Sequence, residues 1–169
     1  QVLPYLRGVA ARGAEVHLLS FEKWSDRRSS GRMRALRSRL AGEGIHWVSL
    51  AYHKRPTWLA TSWDILRGTT KAWGLVRKHR IPFIQARSDV PALMAWLVKR
   101  VHPVRVIFDM RGFWVDERVE GGLWSPRGLL YRLAKRLERR LLEDADAIVT
   151  LTEAAERTVR EWLGGRCPP

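Results

Sequence analysis

Hydrophobic positions along this chain recur with two different periods, and segments of the two kinds alternate. Apolar residues recur every three or four positions, as in helices, in residues 2–12, 32–44, 62–79, 91–101, 126–143 and 153–163. Short apolar or β-branched runs that are typical of strands occupy residues 15–20, 45–50, 82–86, 104–110 and 147–152. Strands that alternate with helices form parallel sheets with helices on both faces. The pattern therefore predicts an α/β fold, a Rossmann-like doubly wound parallel sheet of about five strands.

Several residues mark where the predicted helices begin and end, and which face they bury. The expected start and stop signals are Gly13 after the first helix, Pro91 in a first turn, Ser125-Pro126 before helix 126–143, and Thr152 before the last helix. Within helix 62–79, the spacing predicts a buried face that carries Trp63, Leu66, Trp73 and Val76.

The first predicted element is a helix, whereas a doubly wound domain ordinarily opens on a strand. We therefore expect a first strand and its glycine-containing loop to precede Gln1, so that residues 1–169 are one domain truncated at both ends. Neither a G-x-G-x-x-G turn nor a P-loop occurs in the sequence, and dinucleotide binding and P-loop chemistry lack support.

Composition narrows the class of protein. Of the 169 residues, 46% are hydrophobic and 28% are charged, which is typical of a soluble globular domain. The single cysteine, Cys167, excludes an internal disulfide and a cysteine zinc cage, and it favours a cytoplasmic location. The sequence contains no H-E-x-x-H motif, Cys/His cluster or G-x-S-x-G elbow, so neither a metal site nor a cofactor is predicted.

The net charge of +14 indicates an anionic partner, such as nucleic acid, acidic phospholipid or a phosphorylated substrate. The alternative interpretation is a solvated surface, because the cations are spread along the whole chain. In helix 126–143 the spacing predicts one stripe of Leu130, Leu133, Leu137 and Leu141 and an opposite face of Arg132, Lys135, Arg136 and Arg139. Such a basic face makes an anionic membrane surface a candidate partner, although the leucines are equally suited to burial against the sheet.

Ligands of open α/β sheets bind beyond the carboxyl ends of the strands, and polar residues collect there in this sequence. Arg87 and Ser88 follow the third predicted strand, and Asp109, Arg111 and Gly112 follow the fourth. The two arginines are suited to hold a phosphate or carboxylate through forked hydrogen bonds. Asp109 is suited either to bind a sugar hydroxyl or to brace the arginines.

The same loop continues as a mixture of acidic and aromatic residues. Asp116 and Glu117, together with Glu120, are suited to contact sugar hydroxyls or to hold the shape of the loop. Trp114 and Trp124 are either ring-stacking surfaces or buried anchors. The carboxyl ends of the strands and the residues that follow them form the rim of the sheet. The other residues predicted to lie at this rim are Tyr52, His53, Lys54, Thr150 and Thr152. Among them His53 is the acid–base candidate, although a loop histidine is more often plain polar surface.

Four segments, in order over nearly the whole chain, carry a family resemblance. They are "QVLPYLRGVAARGAEVHLLSFE", "RSDVPALMAWLVKR", "VIFDMRGFWVDERVEGGLW" and "ADAIVTLTEAAERTV". Together they resemble the N-terminal domain of retaining GT-B glycosyltransferases of the group 1, or family 4, type. The segments around "FDMRGFW" and "ADAIVTLT" are the most specific.

The resemblance implies two Rossmann-like domains that face each other across a cleft. The N-terminal domain binds a glycan or lipid-linked acceptor, and a C-terminal domain, absent from this chain, binds the nucleotide-sugar donor through a spaced pair of glutamates. Transfer keeps the anomeric configuration and needs no bound metal. The chain would then belong to a hexosyltransferase of polysaccharide biosynthesis, located in the cytoplasm at the inner membrane face, and would be inactive alone. Taken with the positions at the strand ends, the predicted substrate-binding residues are Arg87, Ser88, Asp109, Arg111, Gly112, Asp116 and Glu117, and no catalytic residue is assigned.

Two other functions stay open at this point. One is a non-enzymatic basic α/β domain that binds nucleic acid, which is disfavoured because neither a recognition helix nor an RNA-binding aromatic signature occurs. The other is a different Rossmann-like enzyme that acts on sugar nucleotides, whose ligand-binding glycine turn would have to lie before Gln1.

Overall fold

The computed structural model describes residues 2–23, 30–53 and 57–168. The chain forms two compact units, residues 1–68 and 69–169. The predicted rim residue Lys54 lies outside the described residues. No described helix is long and apolar enough to cross a membrane.

The first unit contains a two-stranded parallel sheet. Its elements are α1 (Val2–Ala10), β1 (Val16–Glu22), α2 (Ser30–Gly42), β2 (Ile45–Ala51) and the beginning of α3 (Thr57–His79). The strands pair in register from Val16 opposite Ile45 to Glu22 opposite Ala51. The core consists of Leu40, Ile45 and Trp47, and Met33 and Leu36 pack against it. Met33, Leu36 and Leu40 recur at helical spacing, so α2 buries one face in this core.

The second unit contains a three-stranded parallel sheet in the order β3-β4-β5. Its elements after α3 are β3 (Phe83–Arg87), α4 (Asp89–Val101), β4 (Arg105–Asp109), α5 (Trp114–Glu120), α6 (Leu129–Asp144), β5 (Ala147–Val149), α7 (Glu153–Leu163) and a single 3₁₀ turn (Gly164–Arg166). The main core surrounds Phe108 of the central strand, together with Leu141 and Leu142 of α6 and Val159 and Leu163 of α7. The α/β class predicted from the alternating periods is confirmed.

All five predicted strands are present and parallel, and within the described residues they are paired in two sets. Backbone pairing joins β1 to β2 and joins β3, β4 and β5, which gives two separate sheets. Each ladder links only strands that are consecutive along the chain. The alternation of helices and strands along the sequence predicts the class of fold. It does not predict which strand pairs with which.

Helix α3 buries a different face from the predicted one. Trp63, Leu66 and Trp73 are exposed by 54%, 55% and 37%, and of the four predicted inward residues only Val76 is buried. Buried positions earlier in the helix are occupied by Ala60 and by other residues of low hydrophobicity, Asp64 and Gly68. Small residues permit close packing of a helix, and this face carries too little apolar character to be recognised from hydrophobicity alone.

Two local differences concern the segment around residues 113–128. The predicted loop contains the short helix α5, which buries only Val115 and therefore lacks an apolar stripe. The helix expected from residue 126 begins at Leu129, because the N–H of Gly128 donates to the C=O of Ser125 at 2.9 Å and closes a turn. Pro126 suits the second position of that turn. The cap by Thr152 is confirmed, since its hydroxyl accepts the Ala155 N–H at 3.1 Å.

Candidate functional site

The carboxyl ends of the three strands in the second unit are tied to one another through their backbones. The N–H of Ser88, just after β3, donates to the C=O of Asp109 at 3.0 Å. The N–H of Met110, just after β4, donates to the C=O of Val149 at 2.8 Å. These bonds extend the sheet by one residue and hold the loops after β3 and β4 at one rim.

Asp109 lies between two arginines at this rim. It is the last residue of the central strand and is only 6% exposed. Its Oδ2 lies 3.7 Å from Nη1 of Arg87, and its Oδ1 lies 3.5 Å from Nη1 of Arg111. Both distances exceed those of strong charge-assisted hydrogen bonds, which are about 2.7–2.9 Å. The carboxylate therefore orients the two guanidinium groups without saturating their donors.

The trio of Arg87, Asp109 and Arg111 carries one net positive charge. About a third of each arginine side chain is exposed, so both side chains remain partly open to solvent. The sequence predicted that these residues would meet, and the structure brings them together from the ends of two adjacent strands. Two forked cations around a buried anion form a site suited to a phosphate or carboxylate group.

Ser88 adopts an unusual backbone conformation beside the trio. Its φ is 75° and its ψ is 169°, and it precedes the first residue of α4. A non-glycine residue with positive φ costs about 1–3 kcal/mol and persists only where surrounding contacts enforce it. Here the Ser88 N–H is fixed on Asp109 and its C=O accepts the N–H of Ala92 at 3.0 Å. Such strain is concentrated at functional sites, which supports the prediction for Ser88.

Gly112 permits a close approach of the Glu117 side chain. A Cβ built on Gly112 would lie 2.3 Å from Oε1 of Glu117. The two predicted residues are thus neighbours, and Glu117 folds back from α5 over the loop that carries Arg111. A side chain at residue 112 would displace this carboxylate.

An open cleft of about 230 Å³ lies next to the trio. It is smaller than common ligand pockets of about 300–1,000 Å³, so it suits one part of a ligand, such as a ring or a phosphate group. Its lining residues are Met110, Arg111, Gly112, Phe113, Leu151, Thr152 and Ala155. The cleft therefore joins the loop after β4 to the start of α7.

Both oxygens of the half-buried Asp116 carboxylate have partners on α6. Oδ2 accepts from Nζ of Lys135 at 2.6 Å, and Oδ1 accepts from the Tyr131 hydroxyl at 3.2 Å. Lys135 also donates to Oε2 of Glu138 at 2.6 Å and lies 4.1 Å from the centre of the Trp162 ring. Asp116 thereby ties α5 to α6, a contact that suits the shape-holding role among the two predicted for it.

Two carboxyl groups close to this lysine have raised pKa values. Burial raises the pKa of Glu138, which is 3% exposed, and Lys135 offsets this only in part. Burial also raises the pKa of Asp89, with a smaller contribution from the charge of Glu117. The Oε1 of Glu138 and the Oδ1 of Asp89 have no hydrogen-bond partner among the described residues. Glu138 lies beside the predicted leucine stripe of α6 and not within it, so the spacing in the sequence did not mark it as buried.

We expect stability to depend on pH through Glu138. The pKa of Glu138 is raised in the folded state, so the folded protein binds the carboxyl proton more tightly than the unfolded chain does. This tighter binding contributes to the free energy of unfolding at low pH. The contribution is lost as the pH rises from about 4.5, the ordinary pKa of the group, through the raised pKa of the folded state. Glu138→Gln removes the titration and keeps the shape. Urea unfolding at pH 5 and pH 8 should therefore show wild type losing stability relative to this variant at pH 8. An equal difference at both pH values would contradict the raised pKa.

The aromatic residues of the loop pack mainly on other rings. Trp114 and Trp124 meet edge to face with centroids 5.3 Å apart, and the Arg118 guanidinium lies 5.1 Å from the Trp114 ring. Phe113 meets Trp162 of α7 in the same manner at 5.0 Å. These contacts favour the anchoring role for the tryptophans, although neither belongs to a buried cluster.

In the first unit, His53 follows β2 and is hydrogen-bonded to Asp64, a residue that the sequence did not predict as part of a site. Nδ1 of His53 lies 2.6 Å from Oδ1 of Asp64, and the backbone N–H of His53 donates to Oδ2 of Asp64 at 2.8 Å. Asp64 is 5% exposed, whereas a third of the His53 side chain is exposed. The ring is therefore fixed in orientation, with Nε2 on the side away from Asp64.

The fold and the rim of the sheet together define a class of protein. Parallel strands, flanking helices and polar groups at the carboxyl ends of the strands make this a Rossmann-like α/β protein. Within that class, the family model of the glycosyl transferase 4-like domain matches residues 1–168, and the chain belongs to this family. The resemblance seen in the sequence is thereby confirmed. A search of the curated proteins gives no significant match.

Proposed function

We propose that this chain is the acceptor-binding region of a glycosyltransferase that moves a hexosyl group from a nucleotide-sugar to a glycan or lipid-linked acceptor. The family match supports sugar transfer in general terms. The observation that carries the proposal is the trio of Arg87, Asp109 and Arg111 at the rim of the parallel sheet. Donor binding is assigned to a further domain with a spaced glutamate pair, and the setting to polysaccharide biosynthesis in the cytoplasm.

The trio suits the electrostatics of this reaction. As the bond between the sugar and the diphosphate breaks, negative charge grows on the leaving group, and oriented cations stabilise that charge. Arg111 contacts both Asp109 and the cleft, so it is the residue best placed to meet developing charge. Asp109 fixes its direction beforehand, which reduces the reorganisation needed during transfer. Glu117 is exposed beside Gly112, and its carboxylate is available to accept hydrogen bonds from hydroxyl groups of the acceptor sugar.

The test is a transfer assay with protein expressed from its complete gene. A panel of nucleotide-sugars is offered with membrane lipid extracts or soluble glycans, and release of the nucleotide diphosphate is measured. We expect release that requires both donor and acceptor, and a product whose anomeric configuration, read by NMR, equals that of the donor. Absence of acceptor-dependent release over the whole panel would contradict sugar transfer. An inverted product would contradict the retaining mechanism alone.

A further inference from the structure

The first two turns of α6 expose leucines that the core does not use. Leu129, Leu130 and Leu133 are exposed by 73%, 57% and 50%. Leu141 is buried and Leu137 packs against the main core, so only the second half of the predicted leucine stripe lies inward. At 100° per residue, Leu129 and Leu133 lie on the side of the helix opposite Glu138, and Leu130 lies beside them. The helix thus presents a short apolar ridge to solvent.

Three arginines accompany this ridge: Arg132 and Arg136 lie on the same side of α6 as Leu129, and Arg127 lies two residues before the helix. Arg127, Arg132 and Arg136 are exposed, and none forms an ion pair within the part of the chain that the structure describes. The predicted basic face was partly wrong, because Lys135 turns inward to Asp116 and Glu138. Leucines and arginines therefore share one exposed face in the first half of α6, where opposite faces had been predicted.

The second half of the same helix is different in character. Arg139 pairs with Glu143 at 3.1 Å, and Arg140 pairs with Asp144 at 3.2 Å. The arginines in the second half of α6 therefore form ion pairs with acids on the same helix. The exposed arginines of the first half lie beside leucines and form no ion pair among the described residues. Within α6, the unpaired arginines are therefore those beside the exposed leucines.

We propose that the face formed by Leu129, Leu130, Leu133, Arg127, Arg132 and Arg136 docks on an anionic lipid surface. Interfacial helices bury an apolar ridge at the boundary between headgroups and acyl chains while adjacent cations bind lipid phosphates. The phosphates of a nucleic acid would pair with the arginines, but they would leave the three leucines exposed to water. This inference deepens the proposed function and rests on it, since docking would bring the domain to a lipid-linked acceptor.

The experiment is co-sedimentation of the chain with vesicles of phosphatidylcholine alone or mixed with phosphatidylglycerol. We expect binding only to the anionic vesicles, and weaker binding as salt is raised. The triple variant Arg127→Gln, Arg132→Gln, Arg136→Gln should lose about a hundredfold in partition coefficient, on the scale known for surface cations. Leu129→Ser, Leu130→Ser, Leu133→Ser should also release the protein, because the ridge is then polar.

A matched control separates the surface from net charge. Arg139→Gln, Arg140→Gln, Arg160→Gln removes the same three charges from paired positions, and it should bind anionic vesicles as wild type does. Circular dichroism melts of every variant check that the fold is kept. Equal recovery with neutral and anionic vesicles at low salt would overturn the proposal. So would equal losses in the two arginine triples, or tighter binding to duplex DNA that ignores the leucine changes.

The outcome is independent of sugar transfer, because vesicle binding needs neither donor nor acceptor. Protein that binds anionic vesicles but transfers no sugar would contradict the proposed function and support the docking surface. Protein that transfers sugar but ignores the vesicles would contradict the docking surface alone.

Discussion

Arg111→Ala is expected to lower the turnover of the complete enzyme by about ten- to a thousandfold while the fold stays intact. The reason is the position of its guanidinium, which lies at the cleft and is oriented by the buried carboxylate of Asp109. An interaction made mainly with charge that develops during the reaction affects kcat more than KM. Initial rates of nucleotide diphosphate release over a range of donor and acceptor concentrations give both constants.

Two further variants locate the effect. Asp109→Asn should be comparably harmful, because the amide keeps the shape but leaves two guanidinium groups without the charge that orients them. Arg105→Ala is the matched control, since Arg105 is exposed at the amino end of the same strand. This change removes one positive charge from the amino end of the sheet, far from the rim, and the rate of nucleotide diphosphate release should stay near that of wild type. Unchanged kinetics in both Arg111→Ala and Asp109→Asn would move the site elsewhere.

The rim could be predicted because it follows from a rule of topology. In a parallel sheet the carboxyl ends of neighbouring strands lie together, so residues that follow two strands meet whatever the sequence distance between them. Arg87 and Asp109 are 22 positions apart, yet they occupy paired positions at the end of the ladder. The strain at Ser88 was not visible in the sequence, because φ is set by contacts on both sides of the residue.

The roles of individual faces could not be predicted in the same manner. The leucines of α6 have helical spacing along its whole length, but the core reaches only the second half of the helix. Periodicity reports which residues share a face, and the neighbouring elements decide how much of that face is covered. The contact between Lys135 and Asp116 also depends on the path of the loop between α5 and α6, which no local pattern encodes. For the same reason Asp64 was not recognised as the partner of His53.

Lys135→Ala is expected to destabilise the second unit by about 3 kcal/mol, because it leaves the buried carboxylate of Glu138 without its cation. The same change removes the link between α5 and α6 and the cation above the Trp162 ring. Urea unfolding at pH 7 measures the loss. Arg139→Ala is the control on the same helix, since its exposed pair with Glu143 contributes only about 0–1 kcal/mol.

Removing the second partner tests the cause. When Glu138→Leu is added to Lys135→Ala, the orphaned charge disappears, and part of the lost stability should return. Asp116 is less affected, because a third of its side chain is exposed and water can replace the lysine. A loss below about 1 kcal/mol for Lys135→Ala, of the size typical for a surface pair, would show that this lysine does not compensate a buried charge. A double variant no more stable than the single one would assign the loss to packing of the lysine stem.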